Sequence, residues 1–591
     1  MTASTNIHAE RLAALRAELA RQGLDGVILT TSDAFQNEEA PEHDRIIHWL
    51  TGFSGSLAHA LVTGDEAIFL VDGRYTIQAA RQVDGGLWQH GHLHDSPLAQ
   101  WVASRAGGKR IAYDPMTWAV NQAEGLRSRA KGAELVPLVD PLAAIWHDRP
   151  PMPKAPIRAM PLSEAGRSSA DKLDWLRGQL ARLGADAWVE TRPDNIAWLF
   201  NCRGGDVAMN PLPLSFAIIQ PQSTIWFIDP DKLAIPAPEG VCTQEIADFL
   251  PQLSALTGNV AFDAAFAPDA VPVALGQGAA SPLPGPGVIT LEKARKTPEE
   301  LAGFRRAHLE DAVAMAKFGH WLEGELALRS ATNQPIDEWE ASETLARFRA
   351  ASPRYQEPSF ATIAASGGNA ALCHYAPAPT DSAILSPDRI LLCDSGGQYD
   401  CGTTDVTRTY AFAPVPDDMR RIATAVLKGF IALSSAQFPV GTFPHQLDAL
   451  ARAPLWALGL DYDHGTGHDV GHNLLVHEHP HRLGKAANPF GLVAGNVMTI
   501  EPGYYEEGRW GIRIENQVEL IEVSPGFLGF KPLTLVPIDL SLFDLAALST
   551  QEQVWIDAYH AEVRNRIAPL LGPEASEWLI HQTAAIVERN L

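Results

Sequence analysis

Between Cys373 and Leu520 the sequence places four carboxylates and one imidazole where a soluble core does not normally tolerate them. They are Asp394 in RILLCDSGGQYD, Asp405 in CGTTDVTRTY, His468 in HGTGHDVGHNLLVHE, Glu501 in VMTIEPGYY and Glu515 in WGIRIENQVEL. Each acid lies in or ends an apolar, strand-like run, as Ile390–Cys393 does before Asp394 and Val497–Ile500 before Glu501. A carboxylate there is costly unless it is paired, hydrogen-bonded or bound to a metal. Four acids and one imidazole make a mainly hard oxygen donor set, enough to hold two divalent ions through shared carboxylates. Their charges balance two such ions, which predicts a site with no need of cationic lining.

Plainer readings exist for each residue. Aspartates beside glycine commonly cap turns, and DSGGQYDCGTTD is rich in both. Two buried glutamates could form structural ion pairs, with Arg513 as one partner. His468 is one of twenty histidines, but Gly465, Gly467 and Gly471 around it would let the backbone turn tightly about the imidazole. The runs ahead of Glu501 and Glu515 alternate with period two, as neighbouring strands facing one cavity do.

At 591 residues the chain is expected to hold several domains. An apolar content of 46% and a charged content of 20% are those of an ordinary soluble globular protein. No stretch approaches the ~20 apolar residues that span a bilayer, and the acidic, amphipathic start is not that of a signal peptide. The formal charge of −24 argues against nucleic acid or an anionic membrane as partner. Five cysteines without a CxxC spacing read as reduced thiols in a reducing cytoplasm; Cys393 and Cys401, either side of Asp394, leave a disulfide conceivable.

The first half of the chain repeats itself. Leucines at Leu12, Leu15 and Leu19, then Gly23 and the run Val27–Thr30, reappear 161 residues later as Leu173, Leu176 and Leu180, then Gly184 and Trp188–Thr191. Both copies read as an amphipathic helix stopped by glycine and followed by a buried strand. Asp33 corresponds to Asp194, and Trp49-Leu50 to Trp198-Leu199. A hairpin-like pair of apolar runs follows in each copy, Ala58–Val62 with Ala67–Val71 and Ser215–Ile219 with Thr224–Ile228. The proline-rich stretch Asp148–Pro161 reads as the linker between copies, and Ser281–Gly287 as a second Pro/Gly-rich run before the next boundary. Thr297-Pro298 then reads as the cap and first turn of a helix, and Leu301–Arg329 as one or two core-facing helices. Helices and antiparallel hairpin signals mix to about Leu535, and Ser549–Leu591 reads as a helical tail anchored by Trp555, Tyr559 and Trp578.

The order Asp394, Asp405 eleven residues on, His468, Glu501 and Glu515 fourteen residues on resembles the dinuclear metallopeptidase family of pita-bread fold. The flanking His374-Tyr375-x-Pro377, His464-Gly465-Thr466-Gly467-His468 and Val476-His477-Glu478 narrow the resemblance to the large, three-domain Xaa-Pro aminopeptidases. The resemblance implies an α+β chain with two repeated creatinase-like α/β domains, a pita-bread catalytic domain and a helical C-terminal extension. The boundaries expected are 1–155, 156–294, 295–535 and 536–591.

It also implies roles. Asp394 would chelate one metal, Asp405 and Glu515 would bridge two, and His468 would be the nitrogen ligand. Glu501 would be both ligand and handler of the proton of the attacking water. His374 and His477 would act on the substrate near the scissile bond, His464 would line the proline pocket, and Arg513 would brace the carboxylates and line the substrate site. Asp469 stands where the family usually has glycine, and is expected to point to solvent rather than tune His468. His472, His479 and His481 are expected to be surface or structural residues. The implied cofactor is a pair of divalent ions, manganese first, with zinc or cobalt as alternatives. The implied activity is release of the residue ahead of a penultimate proline by a metal-activated hydroxide, in a cytoplasmic homodimer with peptide substrates and neither nucleic-acid nor membrane partner. A prolidase and a catalytically inactive peptide- or protein-binding module are the alternatives. The second domain copy speaks against the first of these, and the full donor set against the second.

Overall fold

The computed structural model describes residues 2–95 and 97–589. Two compact units emerge. One runs to Leu162 and takes in Arg167–Ile289; the other comprises Ser163–Gly166 and Thr290 onward.

The first unit contains the repeat. Helix α1 (Thr2–Arg21) buries Leu12, Leu15 and Leu19 against a six-stranded sheet. Its strands are β1 (Gly26–Thr30), β2 (Ala58–Thr63), β3 (Ala67–Val71), β4 (Gln89–His92), β5 (Arg110–Tyr113) and β6 (Glu134–Pro137), in the order β4-β3-β2-β1-β5-β6. Helix α2 (Ser169–Leu183), capped by Ser168 and stopped by Gly184 at φ 64°, leads into the second copy. The second sheet has β7 (Ala187–Glu190), β8 (Phe216–Ile219), β9 (Thr224–Phe227), β10 (Val241–Gln244), β11 (Thr257–Asp263) and β12 (Ala279–Gly285), in the order β10-β9-β8-β7-β11-β12. The strand senses agree too, antiparallel across β1-β2-β3 and β7-β8-β9 and parallel elsewhere. The two copies share one topology.

Ser281–Gly285, expected as part of a Pro/Gly-rich run before a boundary, lies instead in the edge strand β12, parallel to β11. Pro282 and Pro284 are two apart, so both missing N–H donors fall on the unpaired outer side, where an edge strand tolerates them.

The second unit opens with α3 (Pro298–Thr332), a single 35-residue helix capped reciprocally by Thr297 and Glu300, followed by α4 (Glu338–Ala350). A three-stranded antiparallel sheet comprises β13 (Ile363–Ser366), β14 (Leu391–Ser395) and β15 (Val406–Tyr410). After α5 (Asp417–Ser434), a six-stranded sheet begins with β16 (Gln437–Pro439), α6 (His445–Trp456), β17 (Gly467–Asp469), β18 (Glu478–Leu483) and β19 (Val497–Ile500). The hairpin β20 (Gly503–Glu506) and β21 (Trp510–Arg513) stands apart, and β22 (Asn516–Ser524) and β23 (Phe527–Pro532) complete the sheet in the order β16-β23-β22-β19-β17-β18. The long α3, α5 and the tail helices α7 (Thr550–Ile567) and α8 (Pro573–Gln582) share one core with these sheets.

Buried Arg408 on β15 ties the tail to the centre. Its guanidinium donates to Glu515 O at 2.6 Å, Val536 O at 2.7 Å, Pro537 O at 2.9 Å and the Tyr559 hydroxyl at 2.9 Å. Tyr559 stacks on Trp555, and Trp578 packs over Gly319 of α3, where any Cβ would strike its ring. All five cysteines are free thiols, as expected. Among the described residues no helix is long and apolar enough to cross a membrane.

Candidate metal centre

The five donors meet because two sheets present strand ends to one point. On the three-stranded sheet Asp394 pairs with Thr407, so Asp405, two residues earlier on that strand, shares its face one diagonal step away. The connecting turn needs Gly396, where a Cβ would collide with the Thr404 carbonyl. On the larger sheet β19 pairs with β22 through Ile500 and Asn516, and one further step in that register sets Glu501 opposite Glu515. Glu515 joins the sheets: its N–H donates to Thr407 O at 3.2 Å, and its Oε2 accepts from the Thr407 hydroxyl at 2.7 Å.

His468 comes from β17, beside β19. Its N–H donates to the Thr499 hydroxyl at 3.1 Å and its Nδ1 bonds the carbonyl of Asp469 at 2.9 Å. A carbonyl only accepts, so Nδ1 carries the proton and Nε2 is the ring nitrogen turned toward the carboxylates. Nε2 lies 3.5 Å from Glu501 Oε1 and 3.6 Å from Asp405 Oδ2. The nearby glycines act by close approach rather than by turning. None of Gly465, Gly467 and Gly471 has positive φ, whereas a Cβ on Gly467 would strike the Thr499 carbonyl.

Three overlapping groups could each hold a cation, their donor atoms within 4.8 Å of one another: Asp394, Asp405 and Glu515; His468, Glu501 and Glu515; and Asp405, His468 and His477. The first two groups share Glu515, as paired ions would require. The electrostatics agree. Burial, then repulsion from Asp394 and Glu501, holds the Asp405 carboxyl well above its usual range, and burial with Asp405 and Asp394 does the same to Glu515. Burial also lifts Glu501 to about 7, against the pull of Arg513. Asp394 Oδ1 and Glu515 Oε1 are buried with no hydrogen-bond partner. Crowded, orphaned carboxylate oxygens with one oriented imidazole fit two divalent cations.

A cation lines the site although charge balance does not require one, and it is Arg513, the residue expected to brace the carboxylates. The Arg513 guanidinium pairs with Asp394 Oδ2, with the Tyr505 hydroxyl and, at 3.4 Å, with Cys373 O. Sequence reading missed Tyr505. Its hydroxyl lies 2.8 Å from His464 Nε2, so His464, Tyr505, Arg513 and Asp394 form one hydrogen-bonded chain. The aromatic pair after Glu501-Pro502-Gly503 was the only signal for it. His477 lies against His468 with ring centroids 4.5 Å apart. His374, half-buried, follows Cys373 at the rim of the cluster.

Asp469 does not point to solvent. It is 1% exposed, and its Oδ2 accepts from the His481 N–H at 2.9 Å and from His481 Nδ1 at 2.7 Å. The pairing of β17 with β18 shifts register between His468 and Asp469, and past this irregularity Asp469 meets His481 on β18. His481 is structural, and His472 is buried. Behind His477, the buried carboxylate of Glu478 accepts from Lys293 Nζ at 2.7 Å and pairs with Lys296 Nζ. The same segment bonds Asn496 and Gly495 just ahead of β19, which Glu501 directly follows.

Proton and cation compete for Glu501. In the metal-free fold this carboxyl binds its proton more tightly than in the unfolded chain, so its stabilising contribution is present at low pH and lost as pH rises from 4.5 through about 7. Cation binding needs the deprotonated form. The unfolding midpoint gained on adding a divalent cation is therefore expected to widen between about pH 5.5 and about pH 8. A gain independent of pH would refute this account.

A buried cluster of hard donors on antiparallel strand ends, with an oriented imidazole, makes a centre fit for divalent cations. Residues 302–522 match metallopeptidase family M24, residues 11–145 and 148–300 match creatinase/prolidase N-terminal domains, and residues 526–586 match the C-terminal region of peptidase M24. A probable Xaa-Pro aminopeptidase P of Laccaria bicolor is 37% identical, over 96% of this chain and 92% of its own length. Aminopeptidase P1 of Arabidopsis thaliana is 34% identical, over 98% of this chain and 99% of its own. The X-prolyl aminopeptidase of Caenorhabditis elegans, described as a cytosolic enzyme with a di-nuclear active site, superposes with a TM-score of 0.93. It is 32% identical and covers 98% of this chain, which covers all of it. The chain belongs to the Xaa-Pro aminopeptidase P family of M24 metallopeptidases.

Proposed function

We propose that this chain is a metal-dependent aminopeptidase that releases the N-terminal residue from peptides with proline in second position. The observation that carries the reading is the complete donor set in one buried cluster, in a chain that aligns with enzymes of that name along nearly its whole length.

In this reading Asp394, Asp405, His468, Glu501 and Glu515 would hold two divalent ions. Hard oxygen donors and the family resemblance favour manganese. Such ions, when bound, polarise the scissile carbonyl and lower the pKa of an attacking water. The chain's residues do the rest. Glu501 takes a proton from the water whose oxygen adds to the carbonyl carbon. It then delivers that proton to the proline nitrogen as the C–N bond breaks. The nitrogen belongs to a tertiary amide and leaves as a secondary amine only once protonated. His477 and His374 donate to the substrate near the carbonyl, where negative charge grows. His464, held by Tyr505, lines the proline side, while Arg513 keeps Asp394 oriented and reaches the substrate side of the pocket.

The division into 1–155, 156–294, 295–535 and 536–591, a cytoplasmic location and a homodimer belong to the same proposal. The relative described as cytosolic and the family resemblance support them. The test is hydrolysis of Arg-Pro-Pro and Ala-Pro by metal-stripped protein given Mn2+. Manganese-dependent release of arginine, with little cleavage of Ala-Pro, is expected. Cleavage of the dipeptide alone would make the enzyme a prolidase, and no turnover with any divalent ion would overturn the catalytic reading.

A further inference from the structure

Between β13 and β14 the chain leaves the sheet for a long excursion, residues 367–390, that brings Cys373 and His374 to the rim of the metal cluster. Glu338, the first residue of α4, is fully buried beneath it, and among the described residues no lysine, arginine or histidine lies within ion-pair distance. A buried carboxylate without a cation persists only where donors saturate it.

The excursion supplies them. Glu338 Oε1 accepts from the Ser366 N–H at 2.6 Å, where the chain leaves β13. Asn369 Nδ2 lies 3.2 Å from Oε1 and 3.0 Å from Oε2. Oε2 also accepts from the Tyr375 hydroxyl at 2.7 Å and from the Ala383 N–H at 2.8 Å. Burial, then the Glu338 charge, pushes the Tyr375 phenol up, so it stays protonated and donates. The Glu338 N–H in turn donates to Ala383 O at 3.0 Å, and Leu385 N–H to Ile336 O at 2.8 Å. One carboxylate thus collects the departure of the excursion, its return, and the residue that follows His374.

We propose that Glu338 is the positioning residue for His374: its carboxylate fixes the excursion on both sides of that imidazole. The proposal rests on the role given to His374 above, but the clamp can be tested without it. Glu338→Gln keeps the volume and replaces one acceptor with an NH2 group. Whichever way the amide turns, that NH2 faces donors, Ser366 on one side or Tyr375 and Ala383 on the other. Tyr375→Phe removes one of the bonds to Glu338, with the longer contact to Asp381 O, and leaves α4 untouched, which serves if Glu338→Gln fails to fold.

Two readouts decide. In hydrogen exchange on the whole chain, Glu338→Gln is expected to speed exchange across residues 366–385 by about tenfold or more, while the rest of the catalytic unit is unchanged. With a proline-containing tripeptide, kcat is expected to fall by about 10–100-fold at unchanged KM and metal content. On a His374→Ala background the same substitution should cost less than about twofold. Tyr375→Phe should show the same pattern at smaller size. Unchanged exchange in the segment overturns the clamp, and full additivity with His374→Ala overturns the positioning role. A wild-type protein without Xaa-Pro turnover would defeat the functional reading instead, and local deprotection would then still support the clamp.

Discussion

Glu501→Gln is expected to lower kcat on Arg-Pro-Pro by on the order of 10⁴-fold while leaving the metal-free protein at least as stable as the parent. The two halves of this expectation come from one piece of geometry. Glu501 continues β19 into a pocket that already holds Asp394, Asp405 and Glu515, and its charge is among the causes that raise Asp405 and Glu515. Without a cation, removing one of four crowded carboxylates relieves repulsion, so the stripped protein should unfold at the same or a higher temperature. With a cation the loss falls on ligation and on proton transfer together, since Glu501 Oε1 lies 3.5 Å from His468 Nε2. Metal content, unfolding midpoint and kcat on one preparation separate these effects. A variant that keeps more than about a tenth of the parent kcat would remove Glu501 from proton transfer. One that unfolds several degrees earlier when stripped would refute the repulsion argument.

The donor set was legible because misplaced charge is a loud local signal. An aspartate after Ile390–Cys393, or a glutamate after Val497–Ile500, asks for an explanation within a few residues of itself. The repeat was legible for a related reason: helix, glycine and buried strand follow in fixed order, and both sheets repeat one strand order. Partners supplied from far along the chain were not legible. Glu338 looks like any first-turn glutamate until Ala383, 45 residues away, closes on it. Asp469 invited a solvent-facing reading because nothing in the local sequence marks the register shift between it and His468, past which it meets His481. Ser281–Gly285 reads as coil by composition, and becomes a strand because the edge of a sheet forgives proline on its outer side.

The same blindness covers Glu478, whose lysine partners lie 185 and 182 residues away. Its carboxylate and both ammonium groups are at most 1% exposed. Glu478→Gln takes a buried carboxylate away from two buried lysines and is expected to cost about 3–5 kcal/mol, against well under 1 kcal/mol for a typical exposed ion pair. Urea unfolding of metal-stripped protein would measure it, so that loss of ligation does not enter. The physical cause can be isolated by replacing Lys293, Lys296 and Glu478 together with methionine. If desolvated, unpaired charge is the penalty, the triple variant should recover most of the stability that the single one loses. If it does not, the cluster holds the fold by its hydrogen bonds. Activity then discriminates further. The segment that supplies Lys293 and Lys296 also bonds Asn496 and Gly495 ahead of the strand that leads to Glu501, and Glu478 directly follows His477. A triple variant that is stable but has lost kcat would mean that this cluster aims His477 and Glu501, and a stable, fully active one would leave it a purely structural role.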